Sequence, residues 1–448
     1  MNCHHGKSHL SQQAIYWLYE PLLMGFCLTQ LPGFLYEYFT TDKYKVDFRQ
    51  RFGRYSPEIR NRLRPGRSAW IHAVSVGEVV AATPVMKSLM NHHPDFPLLI
   101  STVTRTGREM VHKSLASKSQ SLFLPFDFHW ITDRAMEQIL PRFLLLTETE
   151  IWPNLIRSAY NRYIPVMIMN GRISSDSYRK YNLVRGLLRS TLSQIRVFGM
   201  QSQRDADRII QLGASPKRVF VTGNLKFDQA SMRIPVSEQE HLAKRLHLPP
   251  EAPVLIGGSI HRGEEKIIIE AYRRLLTTFP DLVLLLAPRY LTEIPDIEAK
   301  CTQEGLLAER KTHLWLGEHR KPSSNQFGRV IILDTIGELS KIYSLASLVF
   351  VGGSLLPIGG HNLLEPASYG KPVLFGPYLD NFREISRLLK EYGGGFEVKN
   401  EGDLTVHIES LLQDHCRRET AGEAALRAVE ENRGATQKTL ALIETFLM

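Results

Sequence analysis

The sequence contains few cysteines, and no two of the four form a Cys-x-x-Cys pair. Scattered cysteines argue against a disulfide framework or a zinc site and favour a reducing compartment. Internal repeats and low-complexity segments are also lacking. With 43% hydrophobic and 23% charged residues, the composition is that of an ordinary globular protein, so global disorder is excluded. The 448 residues suit two domains of about 200 residues each.

No apolar run is long enough, without interruption, for a clean membrane-spanning helix. The most apolar stretch, Ala14 to Phe39, is broken by Glu20-Pro21 and by Pro32-Gly33, whereas a span needs about 20 predominantly apolar residues. Its tyrosines and Trp17 suit a membrane interface, and no small-residue cleavage site follows it, as a secretory signal would require. We expect residues 1–42 to anchor the protein, either spanning the membrane or lying in its interface. A buried pair of N-terminal helices is the alternative.

Acidic residues are in the minority: 46 Asp and Glu stand against 55 Lys and Arg, for a net charge of +9. Such a balance indicates an anionic partner. Much of the excess lies between Lys43 and Arg67, where only Asp47 and Glu58 are acidic. No base-stacking aromatic ladder or zinc-finger spacing accompanies it, so nucleic acid is not the expected partner. Beside a membrane anchor, each cation on the anionic cytoplasmic leaflet contributes about 1 kcal/mol.

Short apolar runs alternate with helical stretches after Arg67. The runs are SAWIHAV, FPLLISTV, SLFLPF, RFLLLT, IPVMIMN, IRVFGM and RVFVTG, then APVLIGGS, DLVLLLAPR, RVIILD, LVFVGGS and KPVLFGP. Continuous apolar runs are typical of strands that are covered on both faces. The polar stretch 229–252 between the two series is interpreted as a linker with a short helix, SEQEHLAKRL. We predict an α/β protein whose two Rossmann-like domains, 43–228 and 253–448, face a cleft, with a last helix from Ala424 to Leu447 that packs back across them.

The stretch GGSLLPIGGHNLLEP, residues 352–366, follows one of the predicted strands. Gly359 and Gly360 permit close approach of a ligand because no Cβ intrudes, and a helix that starts near Asn362 would favour an anion. A carboxylate such as Glu365 can accept hydrogen bonds from a ribose diol, although it can also serve only the helix dipole. The combination predicts a nucleotide-sugar site rather than a purely structural turn.

Two other strand ends of the second half point to the same ligand. Ala287-Pro288-Arg289 supplies a guanidinium that suits phosphate, although a single Arg after a strand is ordinarily a surface cation. Asp334 to Glu338 opens a helix that Thr335 would cap, and its backbone amides would face the predicted cleft.

Carboxylates follow the strands of the first half. Glu78 ends the motif HAVSVGE at the start of a helix, where it suits a general base, and Gly77 permits close approach of a substrate. A first-turn Glu can also simply stabilise the helix dipole. TETEIWPN adds Glu148 and Glu150, and GNLKFD adds Lys226. Carboxylates and a cation at one set of strand ends fit a polyol substrate and a developing negative charge.

The motifs HAVSVGE, TETEIWPN, NGRIS, GNLKFD, APR, DTIGEL and GGHNLLEP, in this order, resemble those of the 3-deoxy-D-manno-octulosonic acid (Kdo) transferases of Gram-negative bacteria. The resemblance covers the chain from about Arg51 to the C-terminus. It implies a GT-B fold on the cytoplasmic side of the inner membrane. It also implies transfer of one or more Kdo units from CMP-Kdo to a lipid A precursor, with inversion and with neither a metal nor another cofactor.

The resemblance also assigns roles to residues. Glu78 is implied to be the general base, with Glu148 and Lys226 as transition-state stabilisers. The implied CMP site comprises Pro288, Arg289, Ile336, Gly337, Glu338, Asn362, Leu363, Leu364 and Glu365. Further candidates near these motifs are Ser75, Gly77, Glu150, Arg172, His261, Gly353, Gly360 and His361.

The chain departs from the commonest family pattern at three positions. Leu363 stands where a Pro is usual, and Tyr290 stands where a His follows the Arg. Ile260 stands where a Thr precedes His261, which removes a hydroxyl and any contact it would make.

Two other functions are compatible with parts of this pattern. A nucleotide-sugar epimerase on the same two-domain fold would not need the apolar N-terminal segment. A non-enzymatic membrane module that binds a nucleotide sugar would leave Glu78, Glu148 and Lys226 without a role.

Overall fold

The computed structural model describes residues 19–25, 27–30, 32–33, 36, 39–40, 47–63, 66–115, 119–229, 234–317, 327–380 and 382–447. The chain divides into two compact units: residues 1–229 together with 433–448, and residues 230–432.

A parallel seven-stranded sheet forms the centre of the first unit, in the order β3-β2-β1-β4-β5-β6-β7. Its strands are β1 (Ala69–His72), β2 (Leu98–Thr102), β3 (Ser119–Phe123), β4 (Phe143–Thr147), β5 (Val166–Gly171), β6 (Val197–Met200) and β7 (Val219–Val221). All seven runs predicted in this half form strands. Successive side chains enter opposite hydrophobic clusters: Trp70 and Leu146 lie in one, Ile71 and Leu145 in the other. Both faces of the sheet are therefore covered, as the continuous apolar runs predict.

Helices precede, connect and follow these strands. They are α1 (Phe48–Arg51), α2 (Pro57–Leu63), α3 (Val76–His92), α4 (Arg105–Leu115), α5 (His129–Ile139), α6 (Pro153–Asn161), α7 (Ser175–Leu183), α8 (Arg185–Ser193), α9 (Gln203–Leu212) and α10 (Lys226–Gln229).

The second unit has its own parallel seven-stranded sheet, in the order β10-β11-β9-β8-β12-β13-β14. Its strands are β8 (Val254–Ile260), β9 (Val283–Pro288), β10 (Leu307–Arg310), β11 (Arg329–Ile332), β12 (Leu348–Val351), β13 (Val373–Phe375) and β14 (Gly395–Glu397). β10 and β14, the two edge strands of the sheet, were not predicted from the sequence. Their sequences, LAER and GFE, lack an apolar run, because an edge strand is not enclosed as a central one is.

Helices α11 (Val236–Arg245), α12 (Glu264–Leu275), α13 (Ile294–Gln303), α14 (Lys311–Trp315), α15 (Leu339–Ile342), α16 (Leu364–Ser368), α17 (Arg383–Tyr392), α18 (Glu401–Gln413) and α19 (His415–Glu430) belong to the second unit, and α20 (Ala435–Leu447) ends the chain. Short 3-10 helices occupy Pro216–Arg218, Leu291–Glu293 and Tyr343–Leu345.

The expected last helix, Ala424 to Leu447, is two helices. α19 ends at Glu430, and α20 begins after Gly434, whose φ of +95° suits glycine. The carboxylate of Asp228 accepts hydrogen bonds from the backbone N–H groups of Gly434 (2.8 Å) and Thr436 (2.5 Å). Ala435 and Ile443 of α20 lie in the hydrophobic core of the first unit. Residues 433–448 therefore group with the first unit, not with 253–432 as the sequence analysis expected.

The predicted linker contains the predicted helix, α11, and packs against the second unit. Glu238 forms an ion pair with Lys341 at 2.7 Å, and the guanidinium of Arg245 lies 3.7 Å from the centre of the Trp315 ring. Arg329 donates hydrogen bonds to the carbonyls that follow α11. The described part of 229–252 is therefore an extension of the second unit.

The expected membrane anchor falls mostly outside the described residues. Among those described, no helix combines the length and the apolar character needed to cross a membrane. The helical residues 19–25 are attached to the first unit: the Tyr19 hydroxyl donates to Asp127 (3.0 Å), and the Glu20 carboxylate lies 2.6 Å from His129 Nδ1. Leu22 is nevertheless 64% exposed. The exposed apolar side chains at Met24 and Leu28 likewise do not fit a buried pair of helices.

Arg51 departs from the expected cluster of surface cations. Its guanidinium is buried and donates hydrogen bonds to the carbonyls of Leu124 (2.9 Å) and Val103. It therefore ties α1 to the loops that follow β2 and β3. The other described cations of the cluster are exposed: Arg49, Arg54, Arg60, Arg62 and Arg67.

Candidate active-site residues in the two units

Glu78 lies in the first turn of α3, just beyond the carboxyl end of β1. Its carboxylate accepts hydrogen bonds from the Val74 N–H (2.8 Å) and the Ser75 hydroxyl (3.0 Å), and the residue is 8% exposed. The neighbouring Gly77 is exposed, and a Cβ there would meet only Ser75 Oγ, at 3.9 Å. Glu78 thus helps to start α3, as its structural interpretation requires, beside a position that is open to a ligand.

The environment of Glu78 changes its proton affinity. Burial raises its pKa to about 7; the hydrogen bond from Val74 opposes this, and the charges of Glu148 and Glu150 add to it. A carboxyl group with a pKa near the working pH is well matched to general-base catalysis.

Glu148 and Glu150 follow β4, the sheet neighbour of β1. Because the strand order reverses between β1 and β4, this is the topological switch point at which open α/β sheets bind ligands. Glu148 has a φ of +59°, a strained conformation for a residue with a side chain, and such conformations cluster at functional sites. Burial, followed by the charge of Glu148, raises the pKa of Glu150. The structure therefore brings together the three carboxylates that the sequence analysis selected.

Lys226 begins α10, beyond β7, and is half-buried. Its backbone is placed through Asn170, which the sequence analysis missed: the Asn170 side chain accepts a hydrogen bond from the Leu225 N–H (3.0 Å). Asn170 is fully buried with a φ of +56°. The available signal was an Asn at the end of a predicted strand, in the motif NGRIS, since Asn tolerates the left-handed conformation. Arg172 of the same motif binds Thr149 through its backbone (2.9 Å), which joins it to the loop of Glu148.

The second unit has its own switch point, between β8 and β12. Glu264, which the sequence analysis also missed, is fully buried there. It accepts hydrogen bonds from the N–H groups of His261 (3.1 Å), Gly353 (2.7 Å), Ser354 (3.0 Å) and Leu355 (3.0 Å). The amides of the first glycine pair's turn are thus bound inside the protein.

Gly360, of the second glycine pair, is also explained by packing. Gly360 has a φ of +75°, and its N–H donates to the Gly353 carbonyl (2.7 Å). A Cβ at Gly360 would lie 2.2 Å from a methyl carbon of Leu379. The sequence analysis interpreted this glycine as permitting close approach of a ligand. In the structure its amide is bound to a carbonyl, and the neighbour that requires a glycine here is Leu379.

His261 and His361 form a stacked pair. Their Nε2 atoms are 2.8 Å apart, and the ring planes differ by 8°. Burial, followed by the charges of His261 and Arg289, lowers the pKa of His361 to about 4, so this ring is neutral at pH 7. Tyr290, which replaces the usual His, meets the His261 ring edge-on at 5.8 Å. The predicted residues His261, His361 and Arg289 therefore converge, and Pro288 ends β9 directly before Arg289.

Asn362 and Glu365 bind each other through their side chains, with Asn362 Nδ2 donating to Glu365 Oε1 (3.0 Å). Burial raises the pKa of Glu365, against the effect of this hydrogen bond. Leu363 and Leu364 are fully buried, so their side chains belong to the core. α16 begins at Leu364, close to the predicted helix start near Asn362, but it has only 5 residues. Because so short a helix has a small dipole, its N-terminus is a weaker anion site than the sequence predicts.

The turn after β11 holds the remaining predicted CMP residues. Ile336 is 86% exposed, and Gly337 has a φ of +91° with open space around it. Burial would raise the pKa of Glu338, but hydrogen bonds from Lys311 and Thr335 outweigh it and lower that pKa. Thr335 therefore binds Glu338 instead of capping the helix, whose N-cap residue is Glu338 itself. Lys311, which follows the unrecognised strand β10, escaped the sequence analysis for that reason.

In the part of the chain that the structure describes, His, Cys, Asp and Glu side chains form no group of three or more that could hold a metal ion.

The two-unit architecture occurs in solved structures. UDP-GlcNAc 2-epimerase from Neisseria meningitidis bound to UDP-GlcNAc matches with a TM-score of 0.55, at 14% identity over 85% of this chain and 99% of that one. A glycosyltransferase from Rickettsia africae matches with a TM-score of 0.55, at 14% identity over 85% of this chain and 98% of that one. Identities this low show the fold alone. The class is thus a protein of two parallel-sheet α/β domains resembling GT-B glycosyltransferases.

Sequence relatives decide the family. The model of the family described as "3-Deoxy-D-manno-octulosonic-acid transferase (kdotransferase)" matches residues 46–229. The 3-deoxy-D-manno-octulosonic acid transferase of Haemophilus influenzae is 33% identical over 90% of this chain and 92% of its own length. The chain belongs to the Kdo transferase family and is a glycosyltransferase, as its motifs predict. This decides against the epimerase and the non-enzymatic module.

Proposed function

We propose that the protein transfers one or more Kdo units from CMP-Kdo to a lipid A precursor, with inversion at the anomeric carbon, in lipopolysaccharide core synthesis. Family membership supports the choice of sugar. The observation that carries the mechanism is the buried Glu78 carboxylate, with its pKa of about 7 at the switch point of the first sheet.

The reaction is a single displacement. Glu78 removes the proton from an acceptor hydroxyl, whose oxygen attacks the anomeric carbon of Kdo. The bond from that carbon to the phosphate oxygen breaks, and CMP leaves with the electron pair. Attack opposite the leaving group inverts the configuration. Glu148 and Lys226, which follow β4 and β7, stabilise the charges that develop.

The second unit binds the nucleotide. Arg289 is exposed at the end of β9, beside His361, where its guanidinium can bind the phosphate of CMP in bidentate fashion. The side chains of Asn362 and Glu365, which are hydrogen-bonded to each other, suit the ribose hydroxyls, because a carboxylate oxygen accepts hydrogen bonds from hydroxyl groups. The exposed Ile336-Gly337 turn leaves room for the base.

The protein works from the cytoplasmic face of the inner membrane, with its N-terminal segment in the interface. Helical residues 19–25 bind the first unit through Tyr19 and Glu20, while Leu22 remains 64% exposed. The exposed cations of α1, α2 and the adjoining loops, such as Arg49 and Arg60, suit anionic headgroups and the phosphates of the acceptor.

A transfer assay tests the proposal. The full-length protein, in membranes or detergent, is incubated with labelled CMP-Kdo and a lipid A precursor, and the anomeric configuration of the product is determined by NMR. We expect labelled glycolipid with inverted configuration. Retention would contradict the single displacement, and absence of transfer by a protein that binds CMP would contradict the proposed acceptor.

A further inference from the structure

The glycine turn Gly352 to Leu355 already contains an anion, the carboxylate of Glu264. Its Oε2 accepts hydrogen bonds from the N–H groups of His261 (3.1 Å) and Gly353 (2.7 Å). Its Oε1 accepts hydrogen bonds from the N–H groups of Ser354 and Leu355, both at 3.0 Å. Glu264 belongs to α12, which follows β8, so one side chain joins the loops of the adjacent strands β8 and β12.

This arrangement is a backbone nest. Successive N–H groups that converge on one point form a concave anion-binding site, of the kind that glycine-rich loops use for phosphate. Glu264 is 0% exposed, and both its oxygens are saturated by these amides. A Cβ at Gly352 would lie 2.5 Å from the Ser259 carbonyl and 2.8 Å from Glu264 Oε2, so the close packing against the carboxylate requires the glycine.

The glycine turn also positions His361, the next residue group of the proposed donor site. The Gly353 carbonyl accepts a hydrogen bond from the Gly360 N–H (2.7 Å), and the His361 ring packs so closely on Gly353 that a Cβ there would lie 3.0 Å from it. His361 precedes the coupled pair Asn362 and Glu365. A continuous chain of contacts therefore runs from the Glu264 carboxylate to the residues proposed to bind CMP.

We infer that Glu264 is a positioning residue of the donor site: its carboxylate, and not the phosphate of the donor, occupies the glycine turn and sets the placement of His361, Asn362 and Glu365. The inference rests on the proposed function insofar as the ligand is CMP. The donor phosphate is then left to the Arg289 side chain and not to the glycine amides.

The test compares Glu264→Gln with Glu265→Gln in the full-length protein. A Gln at 264 keeps the size but turns one acceptor into an NH₂ donor that faces backbone donors. Glu265 is its neighbour on α12, also buried, and accepts the Gly263 N–H (2.5 Å), which an amide oxygen can still accept. We expect calorimetry to show CMP affinity reduced about 10-fold or more in Glu264→Gln, and nearly unchanged in Glu265→Gln.

Hydrogen exchange measured by mass spectrometry supplies a readout that does not depend on the ligand. Amides of the peptide 352–361 should exchange faster in Glu264→Gln, while those of β9 and of the first unit keep their wild-type rates. Wild-type CMP affinity together with unchanged exchange in Glu264→Gln would overturn the inference. If the wild-type protein itself does not bind CMP, the proposed function fails, and the exchange rates alone decide the role of Glu264.

Should Glu264→Gln not fold, Glu264→Asp replaces it. This variant keeps the charge but withdraws the carboxylate by one carbon, so it cannot reach the amides of both loops. We expect the same loss of CMP affinity and faster exchange in 352–361, and wild-type values for both would overturn the inference.

Discussion

At the scale of single residues, Glu78 combines a structural role with the pKa expected of the proposed general base. Its hydrogen bonds from Val74 and Ser75 secure the start of α3, while burial raises its pKa to about 7. The two properties are compatible because the hydrogen bonds lower the pKa less than burial raises it.

Glu78→Gln should fold normally and lose transfer by about 10²- to 10⁴-fold, because the amide cannot accept the acceptor's proton. CMP affinity should not change. Glu109→Gln, at an exposed ion pair with Arg105 (2.9 Å) on α4, is the matched control and should keep wild-type turnover. A steady-state transfer assay measures both variants, and near-normal turnover of Glu78→Gln would refute the role of base.

The raised pKa of Glu78 predicts a pH dependence. Since only the ionised form accepts a proton, kcat/KM should rise with pH and level off above about pH 7. In Glu150→Gln a negative charge that raises the Glu78 pKa is removed, so the rising limb should move to lower pH. A pH profile that is the same in both proteins would show that the two carboxylates do not interact.

Arg289→Ala should weaken the binding of CMP and of CMP-Kdo together, because both carry the phosphate. The loss of a charge-assisted hydrogen bond is worth about 1.5–3 kcal/mol. Arg273→Ala, on α12, removes an ion pair with Glu304 (3.0 Å) and should leave the affinity unchanged. Calorimetry with CMP decides, and equal affinities for the wild type and Arg289→Ala would reject the assignment.

At the scale of secondary-structure elements, burial explains which strands the sequence predicts. Most of the twelve runs selected as strands are enclosed by helices and therefore continuously apolar. The edge strand β7 is apolar as well, although its Phe220 and Val221 are exposed. β10 and β14 are edge strands with the sequences LAER and GFE, and no apolar pattern distinguishes them from loops. Lys311 was not selected from the sequence, because site residues were sought at the ends of predicted strands and β10, which it follows, was not predicted.

The C-terminal helix depends on a cap from a distant part of the chain. Asp228→Ala should destabilise the protein by about 0.5–2 kcal/mol, the usual cost of losing an N-cap, because the N–H groups of Gly434 and Thr436 lose their acceptor. Denaturant unfolding measures this, with Asp207→Ala on the exposed side of α9 as control. Hydrogen exchange should accelerate in α20, and wild-type protection there would contradict the capping role.

At the scale of the whole molecule, the proposed membrane attachment has an apolar and an electrostatic part. Full-length protein should remain with membranes washed at high salt, because screening weakens the contacts of Arg49 or Arg60 but not the burial of Leu22 and its neighbours. Deletion of the first ~40 residues should release a protein that still binds CMP, since the second unit begins at residue 230. If salt alone removes the full-length protein, the N-terminal segment is not inserted.

The sequence by itself determined what depends on neighbouring residues. Continuous apolar runs identified the central strands, and the polar residues in the segments that follow them included Glu78, Glu148, Arg289 and Asn362. The order of the motifs identified the family. These properties can be predicted from the sequence for two reasons. A strand that is enclosed on both faces requires an apolar residue at nearly every position. Ligands of open parallel sheets bind beyond the carboxyl ends of the strands.

Tertiary structure alone decided what depends on residues far apart in the chain. The pKa of Glu78 follows from desolvation by the folded core and from carboxylates some 70 residues away. Glu264 fills a turn 89 residues further along, and Asp228 caps a helix that starts more than 200 residues later. A buried polar group must find a partner wherever the fold supplies one. Composition and periodicity indicate which residues are buried. The hydrogen-bond partner of a buried polar group is determined only by the tertiary structure, which brings distant residues together.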